Sequence, residues 1–436
     1  MNLVQITPGA GGMYCGNCFR DNALVAALRR RGHAVLMVPL YLPMTLDEAD
    51  QSAGTPTFFG GVNVYLEQKS ALFRRAPQWL HALLDSPRLL RWAAGKAAGT
   101  RAQDVGELTL SMLRGEEGNQ ARELDALIAF LKTQPPPDVV LLSNAMLVGL
   151  ARKLKAELGC AVVCNLQGED GFLDAMPEPV RGEVWRTLAE RATEADLFIA
   201  PSRYFAERMG GRLGLPAGKV KVVFNGISLE GYSEIPNSEF RIPNSPTLGF
   251  FARMCREKGL DTLVEAFIEI RRRGKVPGLK LRVGGGCGPG DAAFVAELRG
   301  RLRAVGVEQD VEFHPNLTRE QKVAFLRSLT VFSVPALYGE AFGLYVLEAL
   351  AAGVPVVQPR VASFPELVAA TGGGVLCEPG NASALAEAVE GLLLDPVRLK
   401  ALGAAGRQTV KERFSVEQMA LEMEAAAAGL GPRGAT

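Results

Sequence analysis

Two carboxylates and a glycine-centred turn stand close together in "VPALYGEAFGLYVLEALAAGVPVVQP", residues 334–359. Glu340 precedes the run Phe342-Gly343-Leu344, and Glu348 follows it. The pattern reads as a buried strand ending at Pro335, a loop carrying Glu340, a helix opened by Gly343 and closed by Gly353, and a new strand from Val354. At such a helix start the N–H groups of Phe342, Gly343 and Leu344 make an anion site suited to a diphosphate. Glycine also lets a phosphate come close to the backbone. Glu348, inside the helix, can accept two hydroxyl hydrogen bonds from a ribose, and Glu340 can reach hydroxyls of a sugar on the far phosphate. Glutamates are common in first turns and on surfaces. Their placement around a glycine at a strand–loop–helix junction is what argues for a site.

A second stretch supplies the opposite charge. In "GFFARMCREKGLDTLVEAF", residues 249–267, Arg253 and Lys258 flank a short loop between a strand and a helix. Both can project over the carboxyl edge of a sheet, where two fixed cations neutralise a leaving diphosphate without a metal ion.

A third stretch, "PGAGGMYCGNCFRDNAL" at residues 8–24, follows the first strand-like run. Gly11 and Gly12 suit a close backbone approach to a ligand, and Asn17 is placed to cap the helix that follows. Cys15 and Cys18 have the spacing of a metal or redox pair, yet zinc needs about four ligands. Cys164 is the other thiol expected nearby, so packing is the favoured role. The stretch is not a dinucleotide fingerprint. Gly9-Ala-Gly11-Gly12 lacks the third glycine, and no acid closes the next strand, "HAVLMVPLY" (33–41).

The elements that hold these stretches alternate β-rich runs with helical patterns. Strands are expected at 2–6, 33–41, 137–143, 161–167, 196–202 and 221–226, and a second series at 247–252, 279–285, 310–315, 330–335, 354–359 and 373–379. Such alternation predicts parallel sheets with right-handed crossovers, hence an α/β chain of two doubly wound domains facing each other across a cleft. "GYSEIPNSEFRIPNSP" (231–246) reads as the linker. The expected division is an N-terminal domain over 1–230, the linker 231–246, a C-terminal domain over 247–410, and a last helix in 411–436 packing back on the N-terminal domain. A basic helical insertion at about 69–115 interrupts the first domain. Its 69–102 portion interleaves seven Lys and Arg with Trp79, Leu83, Leu84 and Trp92. Two readings stay open there, a helical insertion packed on its own domain and a peripheral contact with an anionic membrane.

Of the 436 residues, 48% are hydrophobic and 22% charged, and the net charge of +1 gives no global field to draw nucleic acid. No apolar run approaches the ~20 residues of a membrane span. The seven cysteines are scattered rather than framed as disulfides, which points to the cytoplasm.

Residues 334–359 resemble the signature of the family-4 retaining glycosyltransferases: Glu, seven residues, Glu, with Phe-Gly-Leu between. Arg253 with Glu257-Lys258-Gly259 is similar to that family's Arg…Glu-Lys-Gly segment. "PSRYFAERM" (201–209), "VVFNGISLEGY" (223–232) and "SFPELV" (363–368) resemble further family segments in the correct order. The resemblance implies a GT-B fold of two Rossmann-like domains, and transfer of a sugar with retention from a UDP-, GDP- or ADP-sugar bound mainly by the second domain. It implies no cofactor or metal, and a glycan or lipid-linked acceptor; a contact of the 69–102 stretch with a membrane would place the chain at its inner face. By analogy Arg253 and Lys258 hold the diphosphate, supported by the amides of Phe342, Gly343 and Leu344. Glu348 holds the ribose and Glu340 orients the donor sugar. Gly11 and Gly12 match the Gly-Gly loop that members carry near donor phosphate and acceptor.

One departure stands out. Many members carry a histidine near the donor sugar where "VVCNLQGEDGF" (162–172) places Gln167. An amide still positions a hydroxyl but carries no proton. Either no such proton carrier is needed, or Glu169 or Asp170 shares the task, or the activity has drifted. A GT-B sugar-nucleotide epimerase and a non-catalytic sugar-nucleotide-binding protein therefore stand as the alternatives. A phosphorylase would need a longer chain and a pyridoxal lysine.

Overall fold

Among the described residues, twelve short strands, each within or overlapping a run expected from the sequence, form two separate parallel sheets. The computed structural model describes residues 1–9, 16–44, 46, 48–59, 102–232 and 245–430. Gly11, Gly12, Cys15, residues 60–101 with most of the basic insertion, and linker residues 233–244 lie outside the described residues. The chain divides into two compact units, Met1–Phe224 with the segment from Met419, and Asn225–Gln418.

In the first unit β1 (Asn2–Thr7), β2 (Ala34–Pro39), β3 (Val139–Leu142), β4 (Ala161–Asn165), β5 (Leu197–Ala200) and β6 (Val220–Val222) take the order β2-β1-β3-β4-β5-β6. Every residue of β3, β4 and β5 is buried, as expected of central parallel strands covered by helices on both faces. The helix after β1 spans Gly16–Arg30, so Asn17 lies in its first turn rather than at its cap. Cys18 is 1% exposed and belongs to the core. The end of the insertion is the helix Ala102–Arg114.

The second unit repeats the architecture with β7 (Thr247–Phe251), β8 (Lys280–Gly285), β9 (Val311–Pro315), β10 (Val331–Phe332), β11 (Val356–Pro359) and β12 (Gly374–Cys377), ordered β12-β11-β10-β7-β8-β9. Strands β7 to β9 run outward one way and β10 to β12 the other, so the order reverses between β7 and β10. Those two pair in parallel, Val331 with Leu248 and Phe332 with Gly249. Ligands of open α/β sheets bind at the carboxyl ends of strands beside such a reversal. The loops leaving β7 and β10 are the ones carrying Arg253, Lys258 and Glu340.

The last helix, Val416–Ala428, passes from one unit to the other. Before it, Ile227 N–H donates to Phe414 and Val416 N–H to Ile227. Glu424 in this helix pairs with Arg31 at 2.6 Å, on the turn between the first helix and β2. Among the described residues no helix is long and apolar enough to cross a membrane.

Candidate donor site

Two loops meet at the reversal because glycine allows it. Gly259 has φ +71°, and a Cβ there would stand 1.9 Å from the Pro335 carbonyl oxygen. Backbone from the β7 loop thus lies directly against backbone from the β10 loop. Leu337 N–H also donates to the Glu257 carbonyl at 3.1 Å. The β10 loop is braced from its far side by Ser363, 1% exposed, whose Oγ lies 2.8 Å from the Glu340 carbonyl and 3.0 Å from that of Phe342. Gly343, at φ +93°, turns the chain into the helix Leu344–Ala351. The amides of Gly343 and Leu344 find no acceptor among the described residues, as expected of a helix start. Phe342 is buried at 3% exposure.

Lys258 and Glu340, 82 positions apart, come together in this frame. Lys258 Nζ lies 2.6 Å from Glu340 Oε2 and 2.5 Å from the Tyr338 hydroxyl, and the Tyr345 hydroxyl donates to the same Oε2 at 2.9 Å. Burial alone would lower the Lys258 pKa, but the charge of Glu340 and the Tyr338 hydroxyl win and raise it, so the ammonium stays charged. The Tyr338 ring is exposed while its hydroxyl turns in towards Lys258. Desolvation of that hydroxyl, aided by Glu340, pushes its pKa up to about 12. An ammonium has three N–H donors, and two are engaged here, leaving one for a further acceptor.

The other two site cations are also paired. Glu348 Oε1 receives Lys322 Nζ at 2.8 Å. Arg253 reaches Asp291 from both Nε and Nη2, at 3.0 to 3.2 Å. Asp291 is 6% exposed and also accepts the Gly288 N–H at 3.0 Å. The glycine-rich turn after β8 thereby holds the guanidinium, while the Arg253 side chain remains 62% exposed.

In the first unit Gln167 follows β4 and is half-buried. Its N–H donates at 2.6 Å to Glu169 Oε2, and Glu169 Oε1 accepts the Ala145 N–H at 3.0 Å. Asp170 is 3% exposed and meets Arg208 Nε at 2.5 Å. Arg20, 2% exposed, bonds Asp21 and Asn165 at 3.0 Å each, beneath the carboxyl ends of β1 and β4.

The model of the family described as "Glycosyl transferases group 1" matches residues 232–409, and that of "Glycosyltransferase Family 4" matches residues 108–230. A GDP-mannose-dependent alpha-(1-6)-phosphatidylinositol monomannoside mannosyltransferase of Mycolicibacterium smegmatis is 30% identical over 276 residues, covering 60% of this chain and 68% of the relative. The chain is a family-4, group 1 glycosyltransferase. As a glycosyltransferase it also has the fold of its class. Sucrose-phosphate synthase from Thermosynechococcus elongatus superposes with a TM-score of 0.72 at 20% identity, over 98% of each chain. The Anabaena protein HepE in complex with UDP does so with 0.67 at 18% identity, over 98% of this chain and all of that one. Both sheets of this glycosyltransferase are thus those of a GT-B fold.

The structure brings Lys258 to Glu340 and places Glu348 inside the helix that Gly343 opens. It adds Tyr338, Tyr345, Asp291, Lys322 and Ser363, which the sequence reading did not single out. Ser363 carried a signal, since it opens the "SFPELV" segment. The others sit in ordinary helix and loop contexts and gain meaning only from partners distant in sequence.

Proposed function

We propose that this glycosyltransferase moves a hexosyl group from a nucleoside diphosphate sugar to an acceptor hydroxyl with retention at the anomeric carbon. The observation that carries the reading is the Lys258–Glu340 pair at 2.6 Å, set beside a glycine-opened helix at the strand reversal. In this reading Arg253 and Lys258 bind the diphosphate, with the amides of Phe342, Gly343 and Leu344. Fixed cations and amides stabilise charge on the leaving phosphate without reorganising as it develops, so no metal or cofactor is invoked. Glu348 accepts the ribose hydroxyls and Glu340 those of the sugar. Gln167 contributes hydrogen bonds through its amide, and proton removal from the acceptor falls to the leaving phosphate oxygen. Gly11 and Gly12 keep the role of a close-approach loop.

The mannosyltransferase relative, named for GDP-mannose and phosphatidylinositol monomannoside, supports a GDP-hexose donor and a lipid-linked acceptor. The UDP-bound structural neighbour keeps UDP-sugars in contention. Work at the inner face of the membrane, with contact through 69–102, accords with such an acceptor. The test is a thermal-shift screen over GDP-mannose, UDP-glucose and ADP-glucose, since a donor stabilises the fold it binds. One of them is expected to raise the transition, and a flat response to all three would sink the donor-site assignment. NMR of the product decides the stereochemistry: retention yields the donor's anomeric configuration, and the opposite anomer rules it out. Glu340→Ala is expected to lower transfer by about tenfold or more while leaving nucleoside diphosphate binding intact.

A further inference from the structure

Glu340 is held by one oxygen. Oε2 takes both Lys258 Nζ at 2.6 Å and the Tyr345 hydroxyl at 2.9 Å, and no donor among the described residues reaches Oε1. The two donors differ in kind. Lys258 sits on a flexible four-carbon stem, is drawn also to Tyr338, and is the group that a diphosphate would engage. Tyr345 is rigid by comparison. It lies in the first turn of the helix Leu344–Ala351, with its ring between Phe332 at the end of β10 (6.3 Å between centroids) and Phe364 (6.5 Å). Gly343 packs against the same ring, and a Cβ there would stand in ordinary contact, 3.5 Å from Tyr345 Cζ. Desolvation and the Glu340 charge push the Tyr345 pKa well above the usual tyrosine range, so the hydroxyl stays a donor.

We propose that Tyr345 is a positioning residue for the donor sugar: its hydroxyl pins Glu340 Oε2 and so presents Oε1 to a sugar hydroxyl. The inference rests on the reading of Glu340 given above. When phosphate oxygens compete for Lys258, the phenol is the contact that keeps the carboxylate in place. Its effect therefore belongs to the sugar and not to the nucleotide.

The test is Tyr345→Phe, which keeps the ring and removes the hydroxyl. The full-length enzyme is assayed with whichever of GDP-mannose, UDP-glucose and ADP-glucose stabilises it most, and titrated with the matching nucleoside diphosphate. The expected result is unchanged nucleoside diphosphate affinity. Sugar-nucleotide kcat/KM should fall about tenfold, the scale of a lost hydrogen bond to a charged group. In a Glu340→Ala background the same substitution should have no further effect on sugar-nucleotide affinity. Wild-type transfer by Tyr345→Phe overturns the proposal. So does a proportional loss of nucleoside diphosphate binding, which marks a packing role, or an undiminished effect without Glu340. If Glu340→Ala alone changes nothing, the role of Glu340 falls and this proposal with it. If Glu340→Ala is damaging and Tyr345→Phe is not, only this proposal falls.

Discussion

Among the described residues no cation pairs with Glu169. It is 5% exposed and its carboxyl group accepts two backbone N–H bonds, from Ala145 and Gln167. Burial raises its pKa, the backbone bonds oppose this, the neighbouring Asp170 charge adds to it, and the result is about 7. Beside it the fully buried Cys164 thiol is pushed up as well, by burial and by Glu169. A folded pKa above the unfolded one means that the native state binds the extra proton. The stability so gained is complete below the unfolded pKa of 4.5 and is lost as pH rises through about 7. Glu169→Gln is therefore expected to gain on wild type as pH rises from 5 to 8, by an amount on the order of 3 kcal/mol. Urea unfolding of both proteins across that range measures the difference. A constant offset at every pH would show that Glu169 does not titrate there.

Among the elements, the contact of the β7 loop with the β10 loop leaves no room for a side chain. A Cβ at Gly259 meets a backbone oxygen at 1.9 Å and requires φ +71°, so no side-chain rotation relieves it. Gly259→Ala should cost more than about 1 kcal/mol and displace the loop bearing Glu340. Thermal unfolding with and without donor reads both effects, and an unchanged donor-induced shift would show that the close approach is dispensable. The strands were legible because runs such as "PDVVLLS" and "KLRVGG" are apolar, short and bounded by glycine, proline or serine. Glu340, Gly343 and Glu348 were legible because helix geometry over a few residues converts spacing into position. Asp291 and Lys322 were not, because they meet Arg253 and Glu348 across 38 and 26 residues, which no local pattern encodes. Tyr345 reads in sequence as one more apolar helix residue, and its hydroxyl acquires a role only once the loop folds back over it. Asn17 shows the opposite error. A good capping residue stands one position inside a helix that begins at Gly16.

At the scale of the whole molecule, the chain makes most of its last helix a part of the first unit. Val416, Met419, Ala420, Met423, Ala426 and Ala427 are each 5% exposed or less, a stripe at helical spacing. Met423→Ala should cost about 2 to 5 kcal/mol, while Glu424→Ala, which breaks an ion pair that solvent screens, should cost clearly less. Chemical denaturation ranks the two, and equal effects would contradict the packing seen here. The net charge of +1 has a local counterpart. Arg253 with Asp291, Lys258 with Glu340 and Lys322 with Glu348 sum to zero before any substrate arrives. On the proposed donor reading, an incoming diphosphate would meet partners already spoken for, so attraction at a distance would contribute little and its arrival rate should be nearly indifferent to ionic strength. On that reading the same neutrality would favour departure: once the sugar has gone, the spent nucleotide would leave behind carboxylates ready to reclaim each cation, and turnover would not be held back by a basic pocket reluctant to let go.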